Sequence, residues 1–138
     1  DLYKKLATYP VKGAYVFLDA CFSGGYKSAA PLLAQKGVRV VPKVGLPQGN
    51  TLSFSSSSGD QTSSVYHEKK QGYYTYFLIK TIRDAKGNIS MKELFDRTSA
   101  AVKRATALID KIQEPQCMAS PTWIGWEDIK LETPVVTP

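Results

Sequence analysis

Histidine and cysteine are scarce in this chain. Its 138 residues hold one histidine, His67, and two cysteines, Cys21 and Cys117. Two cysteines make no disulfide framework. With no CxxC or HxxxH spacing and a single histidine, no metal site is expected. The cysteine usage suits a reducing compartment such as the cytoplasm, and it leaves room for one reactive thiol. No run of about 18 apolar residues occurs, so no transmembrane helix is expected. No charged n-region followed by an apolar core is visible at the start. The first residue is Asp1 rather than Met, so a processed or truncated chain is expected. Internal repeats and an EF-hand pattern are also missing.

Charge of one sign is present only in modest excess. Eighteen basic side chains face twelve acidic ones, a net charge of +6. The lysines are scattered, as Lys4-Lys5, Lys69-Lys70, Lys92 and Lys103-Arg104. Nucleic-acid binding needs them clustered on one face. Neither nucleic acid nor membrane is therefore an expected partner. Apolar residues reach 43%, enough for one domain to bury a core.

Residues 2–9 read as a short amphipathic helix, with Leu2, Leu6 and Tyr9 at helical spacing. Ala14-Tyr15-Val16-Phe17-Leu18 is an unbroken apolar run. Such a run suits a strand buried on both faces, as in a parallel sheet. It stops at Asp19-Ala20-Cys21-Phe22-Ser23-Gly24-Gly25. Residues 27–36 read as a helix closed by Gly37, and Val38 to Val41 as a short apolar stretch. Thr51-Leu52-Ser53-Phe54 alternates like a strand. Ser55 to Ser64 is rich in Ser, Thr and Gly, and its place after a strand end favours a functional loop.

Residues 73–84 put Tyr74, Phe77, Leu78 and Ile82 on one helical face. Ser90 and Glu93 form a capping-box signature. Behind it the apolar stripe runs through Met91, Leu94, Phe95, Val102, Leu108 and Ile112. That predicts a helix of about 33 Å at 1.5 Å per residue, ended by Pro115. Thr122 to Trp126 reads as a last strand, with Trp123 and Trp126 as core packing. Residues 1–132 form one unit on this reading, and 133–138 a linker or frayed end.

The element order β-α-β-α-α-β implies an α/β layered domain. A first strand apolar on both faces needs neighbours on both edges. Only about three strands are on hand, and an open sheet leaves an edge exposed. Further strands are expected from elsewhere, most simply from a segment N-terminal to this chain.

In open α/β sheets, sites form outside the carboxyl ends of the strands. Cys21 stands two residues beyond the apolar strand and just before small residues. Backbone N–H groups in such a turn can bind an oxyanion. A thiol needs a lowered pKa or a nearby base to attack. Position alone leaves two readings open, a presented nucleophile or a cysteine packed as a small hydrophobe. Cys117, between Pro115 and Pro121, reads as structural.

Phe17-Leu18-Asp19-Ala20-Cys21-Phe22-Ser23-Gly24-Gly25 resembles the nucleophile motif of the caspase-like cysteine peptidases, the clan of caspases, metacaspases and paracaspases. Its D-x-C-x-S-G form is nearer to the metacaspase and bacterial caspase-like branch. In animal caspases a glutamine usually stands where Asp19 does. Thr51 to Ser64 is similar to that family's strand and substrate loop. Gly72-Tyr73-Tyr74-Thr75-Tyr76-Phe77-Leu78 resembles its H-G-x-F-T-Y-x-L helix opening, and the capped helix from Ser90 its later helix. The likeness covers roughly residues 2–126.

The resemblance implies a caspase-like, Rossmann-like fold, a mostly parallel sheet flanked by helices, of which this chain is an incomplete C-terminal half. It implies a cysteine endopeptidase that cleaves after Arg or Lys. Cys21 is then the nucleophile, and its backbone N–H one oxyanion donor. Asp19 lines the pocket for a basic P1 side chain, which a bidentate arginine pair would suit. Ser63 and Ser64 lie where the family binds the substrate backbone as an added strand. Asp60 is read as turning the chain. Calcium is implied only by the resemblance, and no cofactor is predicted.

One departure stands out. The family's general-base histidine belongs to a His-Gly motif on the strand before the nucleophile strand, and no such motif exists here. His67 falls after Cys21, beside Glu68, and reads as a solvated loop residue. The expected partner is therefore the N-terminal part of the same domain, supplying the histidine and further strands, alongside a peptide or protein substrate. Two other readings remain at this stage, a catalytically silent caspase-like binding or scaffold module and an unrelated α/β cysteine hydrolase of small molecules.

Overall fold

The computed structural model describes residues 2–20, 46–58, 61 and 63–131. Cys21, Asp60, the expected helix over 27–36, the Val38–Val41 stretch and the tail 133–138 lie outside the described residues.

A short helix α1 (Leu2–Leu6) leads into strand β1 (Ala14–Leu18). Strand β2 (Thr51–Ser55) follows, then the two-residue strands β3 (Val65–Tyr66) and β4 (Gln71–Gly72). Helix α2 (Tyr73–Asp84), helix α3 (Met91–Ala107) and strand β5 (Gln116–Ala119) complete the described elements, apart from two short 3₁₀ turns. The main sheet has the order β1-β2-β5. β1 and β2 run parallel, with Tyr15 opposite Leu52 and Phe17 opposite Phe54. β2 and β5 run antiparallel, with Phe54 opposite Cys117. This mixed sheet flanked by helices is the expected α/β layering.

Among the described residues the strand with partners on both sides is β2. Leu52 and Phe54 are buried and join Tyr74, Ile89, Met91, Leu94 and Val102 in one core. These residues pack the α2–α3 hairpin on one face of β2. On the other face Tyr3 of α1 is buried and its hydroxyl donates to Ser53 Oγ at 2.7 Å. Tyr3, rather than the expected Leu2-Leu6-Tyr9 stripe, is thus the inward residue of α1. Leu2 and Tyr9 are exposed.

The expectation that β1 is buried on both faces is corrected. Its burial alternates, and Tyr15 and Phe17 are 37% and 38% exposed although Phe17 stacks on Phe54. Among the described residues β1 has a strand partner on one side only. An apolar run reports that side chains avoid water, and does not report which strand is central.

Two further boundaries differ from expectation for local reasons. Ser90 caps α3 as predicted, its hydroxyl accepting from Glu93 N–H at 3.2 Å. The helix then stops at Ala107, well short of Pro115, so it spans about 26 Å. Asp110 adopts a left-handed φ of 56°. Lys111 N–H reaches back to Thr106 O at 3.0 Å, and Asp110 N–H to Ala107 O at 3.1 Å. That pairing is a Schellman ending, usually built on glycine. Leu108 and Ile112 fall beyond the helix and are exposed.

The last strand is Gln116–Ala119 rather than Thr122–Trp126. Gly125, at φ 83°, turns the chain into a 3₁₀ turn at Trp126–Asp128, and both tryptophans pack against the core. Cys117 is half-buried in β5, as a structural cysteine should be. Burial, helped by the charges of Asp96 and Glu127, pushes its thiol up to about 12.

Candidate functional site

Because β1 and β2 are parallel, their carboxyl ends open on the same side of the sheet. Ser56 N–H extends the ladder there by donating to Leu18 O at 2.9 Å. Asp19 and Ala20 leave β1 at this rim, and the serine-rich loop leaves β2 beside them. Asp19, Ala20, Ser63, Ser64, Val65 and Gly72 line a cleft of about 230 Å³. The sequence-predicted residues Asp19, Ser63 and Ser64 are therefore brought together, across more than forty positions of chain. Cys21, which follows Ala20, lies outside the described residues.

A cluster of hydroxyls fixes this rim. Ser56 Oγ and Ser63 Oγ lie 3.4 and 3.3 Å from the Ala20 carbonyl oxygen, within reach for one of them to donate to it while the other donates to its neighbouring hydroxyl. They also hydrogen-bond each other, and Ser57 Oγ lies 3.3 Å from Ser63 Oγ. Ser56 and Ser57 are fully buried. Small hydroxyl side chains suit such a place, since each supplies a donor and acceptors in little volume.

Asp19 is exposed, yet its carboxylate is held. Thr75 N–H donates to Oδ2 at 3.2 Å, and the Thr75 hydroxyl donates to the same oxygen. Gly72 is the N-cap of α2 and offers no side chain to cap it. A Cβ at position 72 would collide with the Asp19 carboxylate. Glycine here leaves the room that the carboxylate takes, and Asp19 caps α2 from a distant strand.

The loop itself is latched from behind by a residue that sequence reading missed. Gln113 is fully buried. Its Nε2 donates to Ser56 O at 2.9 Å, and its Oε1 accepts from Ser64 N–H at 2.8 Å. Gln61 and Glu114 add a second latch. Glu114 N–H donates to Gln61 Oε1 at 2.7 Å, and Gln61 Nε2 to Glu114 Oε2 at 3.1 Å. Ser64 O accepts from Tyr73 N–H at 3.1 Å. Both backbone polar groups of Ser64 are therefore engaged inside the protein. No pattern in the sequence marks Gln113, because its partners are some fifty residues away.

Replacing Gln113 by leucine keeps the volume and removes both bonds. The buried loop backbone then loses its partners, which costs about 1–3 kcal/mol per group. The expected result is a clear drop in the urea midpoint, with faster amide exchange confined first to residues 56–64. An unchanged midpoint would contradict the latch.

The tyrosines of the α2 opening border this region. Tyr66 stacks on Tyr73 with centroids 4.6 Å apart and meets Tyr76 edge-on. Tyr74 is buried, and burial raises its phenol well above the ordinary value, with Cys117 and Asp19 adding to the shift. His67 is exposed in the 3₁₀ turn His67–Lys69 between β3 and β4. Among the described residues, no three His, Cys, Asp or Glu side chains gather to hold a metal ion.

A carboxylate faces a cleft whose other walls are hydroxyls, small residues and the apolar Val65. Residues 1–122 match the family model described as the caspase domain, a peptidase family. No curated protein matches the chain.

Proposed function

The chain belongs to the caspase domain family of peptidases, and we propose that it carries the nucleophile of a cysteine endopeptidase cleaving after Arg or Lys. In the sequence Cys21 directly follows Asp19 and Ala20, both of which line the cleft. In this mechanism the Cys21 thiolate attacks the scissile carbonyl carbon. The oxyanion that forms is held by backbone N–H groups, that of Cys21 among them. The peptide C–N bond then breaks, the leaving amine takes a proton, and a thioester remains for water to hydrolyse.

The proton is carried by a histidine that this chain does not supply. His67 is the one histidine, and it sits on an exposed turn between β3 and β4. The general base is proposed to come from the N-terminal part of the same domain, seated along the outer edge of β1. The outer side of β1, where no strand partner lies among the described residues, supports that placing, because an open strand edge needs a neighbour. Metacaspase-like kinship is part of the same proposal and rests on aspartate at position 19.

The observation that carries the basic P1 preference is the Asp19 carboxylate in one cleft with Ser63 and Ser64. The carboxylate attracts the P1 cation, and the loop carrying Ser63 and Ser64 borders the peptide beside it. A set of peptides differing only at P1 tests this on the full-length protein. Arg and Lys are expected to be cut in preference to Asp and to neutral side chains. Preference for Asp at P1 would overturn the reading.

A further inference from the structure

We propose that Thr75 is a positioning residue for substrate choice, pinning Oδ2 of Asp19 so that Oδ1 alone meets the P1 cation. The inference rests on the reading of Asp19 as the group that recognises P1. An exposed aspartate at a strand end ordinarily turns freely between rotamers. Here the two hydrogen bonds that the described residues give its carboxylate both come from Thr75, and both fall on Oδ2. A carboxylate oxygen has two lone-pair sites. Thr75 fills both on Oδ2 and sets the plane of the group.

The local sequence is built around this seat. Gly72 leaves the space that the carboxylate occupies, as a Cβ there would strike it. Gly72 also lines the cleft with Asp19. Thr75 itself does not line the cleft, so it acts through Asp19 and not on the peptide. With Oδ2 filled, a forked two-point pairing with arginine is not available. The cation binds end-on at Oδ1, a geometry that lysine meets as well as arginine. The expectation of a bidentate arginine pair is thereby replaced by near-equal use of Arg and Lys.

The test uses the full-length protein and three matched peptides with Arg, Lys or citrulline at P1. Citrulline keeps the shape of arginine without its charge. Wild type is expected to cut the Arg and Lys peptides within about tenfold of each other and both well ahead of citrulline. Thr75→Val is expected to lower the Arg-to-citrulline ratio of kcat/KM about tenfold, the size of one lost hydrogen bond, mainly through KM. Thr75→Ser is expected to restore the ratio. Gly72→Ala, which displaces Asp19 while keeping the Thr75 hydroxyl, is expected to lower it too and serves if the valine variant does not fold. An Arg-to-citrulline ratio unchanged in the folded variants overturns the role of Thr75, and so does an equal loss on all three peptides. A wild type that does not prefer Arg over citrulline instead defeats the reading of Asp19, and this inference with it.

Discussion

Cys21→Ala is expected to abolish peptide cleavage while leaving peptide binding in place. Loss of a covalent nucleophile costs at least on the order of 10³-fold in kcat, because the remaining groups only bind and polarise. Cys117 offers no substitute. It is half-buried opposite Phe54 in β5, with its thiol pushed up to about 12. Near neutral pH it holds almost no thiolate, and the thiolate is the attacking form. Turnover of an Arg-ended fluorogenic peptide by the full-length protein measures the first part, and titration with an uncleavable analogue measures the second. Alkylation near pH 7.5 is expected to mark Cys21 and spare Cys117 in the folded protein. Retention of turnover within tenfold in Cys21→Ala would remove the thiol from the mechanism.

Asp19→Asn is expected to erase the preference for a basic P1. The change keeps the size of the side chain and an oxygen that can accept from Thr75. It removes the charge that faces the cleft. A hydrogen bond to a charged group is worth about 1.5–3 kcal/mol, so kcat/KM for Arg and Lys peptides is expected to fall roughly 10- to 100-fold. Peptides with a neutral P1 are expected to lose far less. In wild type the preference is expected to weaken as salt is raised, since the cleft is open to solvent and the pair is screened. An asparagine variant that still prefers Arg over citrulline would assign the selection to another carboxylate.

Several parts of this molecule were legible because their causes are local. The Ala14–Leu18 and Thr51–Ser55 strands, the Tyr73–Asp84 helix and the Ser90 cap all follow from neighbours within one turn or one pleat. The end of α3 was not legible, because Asp110 takes the left-handed position that glycine normally signals. Gln116–Ala119 was missed as a strand because its four residues show no β-branched pattern and gain their ladder from β2. Among the described residues β1 pairs with β2 alone, and an apolar run carries no information about which strands flank it.

The site divides in the same way. Asp19, Ser63 and Ser64 could be proposed from their order along the chain, and they share one cleft. The groups that hold them could not. Thr75 reaches Asp19 from 56 residues away, and Gln113 reaches Ser56 and Ser64 from 57 and 49. Such contacts exist only once the α2–α3 hairpin has packed on β2. The hydroxyls of Ser56 and Ser57 read as loop polarity in the sequence and are buried donors in the fold.

The most direct measurement is to treat the full-length protein with a peptidyl ketone bearing Arg at P1 and a carboxylate leaving group, then locate the adduct by mass spectrometry. The thiolate would displace the carboxylate and form a thioether. A single adduct on Cys21, formed faster than with citrulline at P1, is the predicted result. An adduct on Cys117, or no adduct while Arg peptides are still being cut, would contradict it.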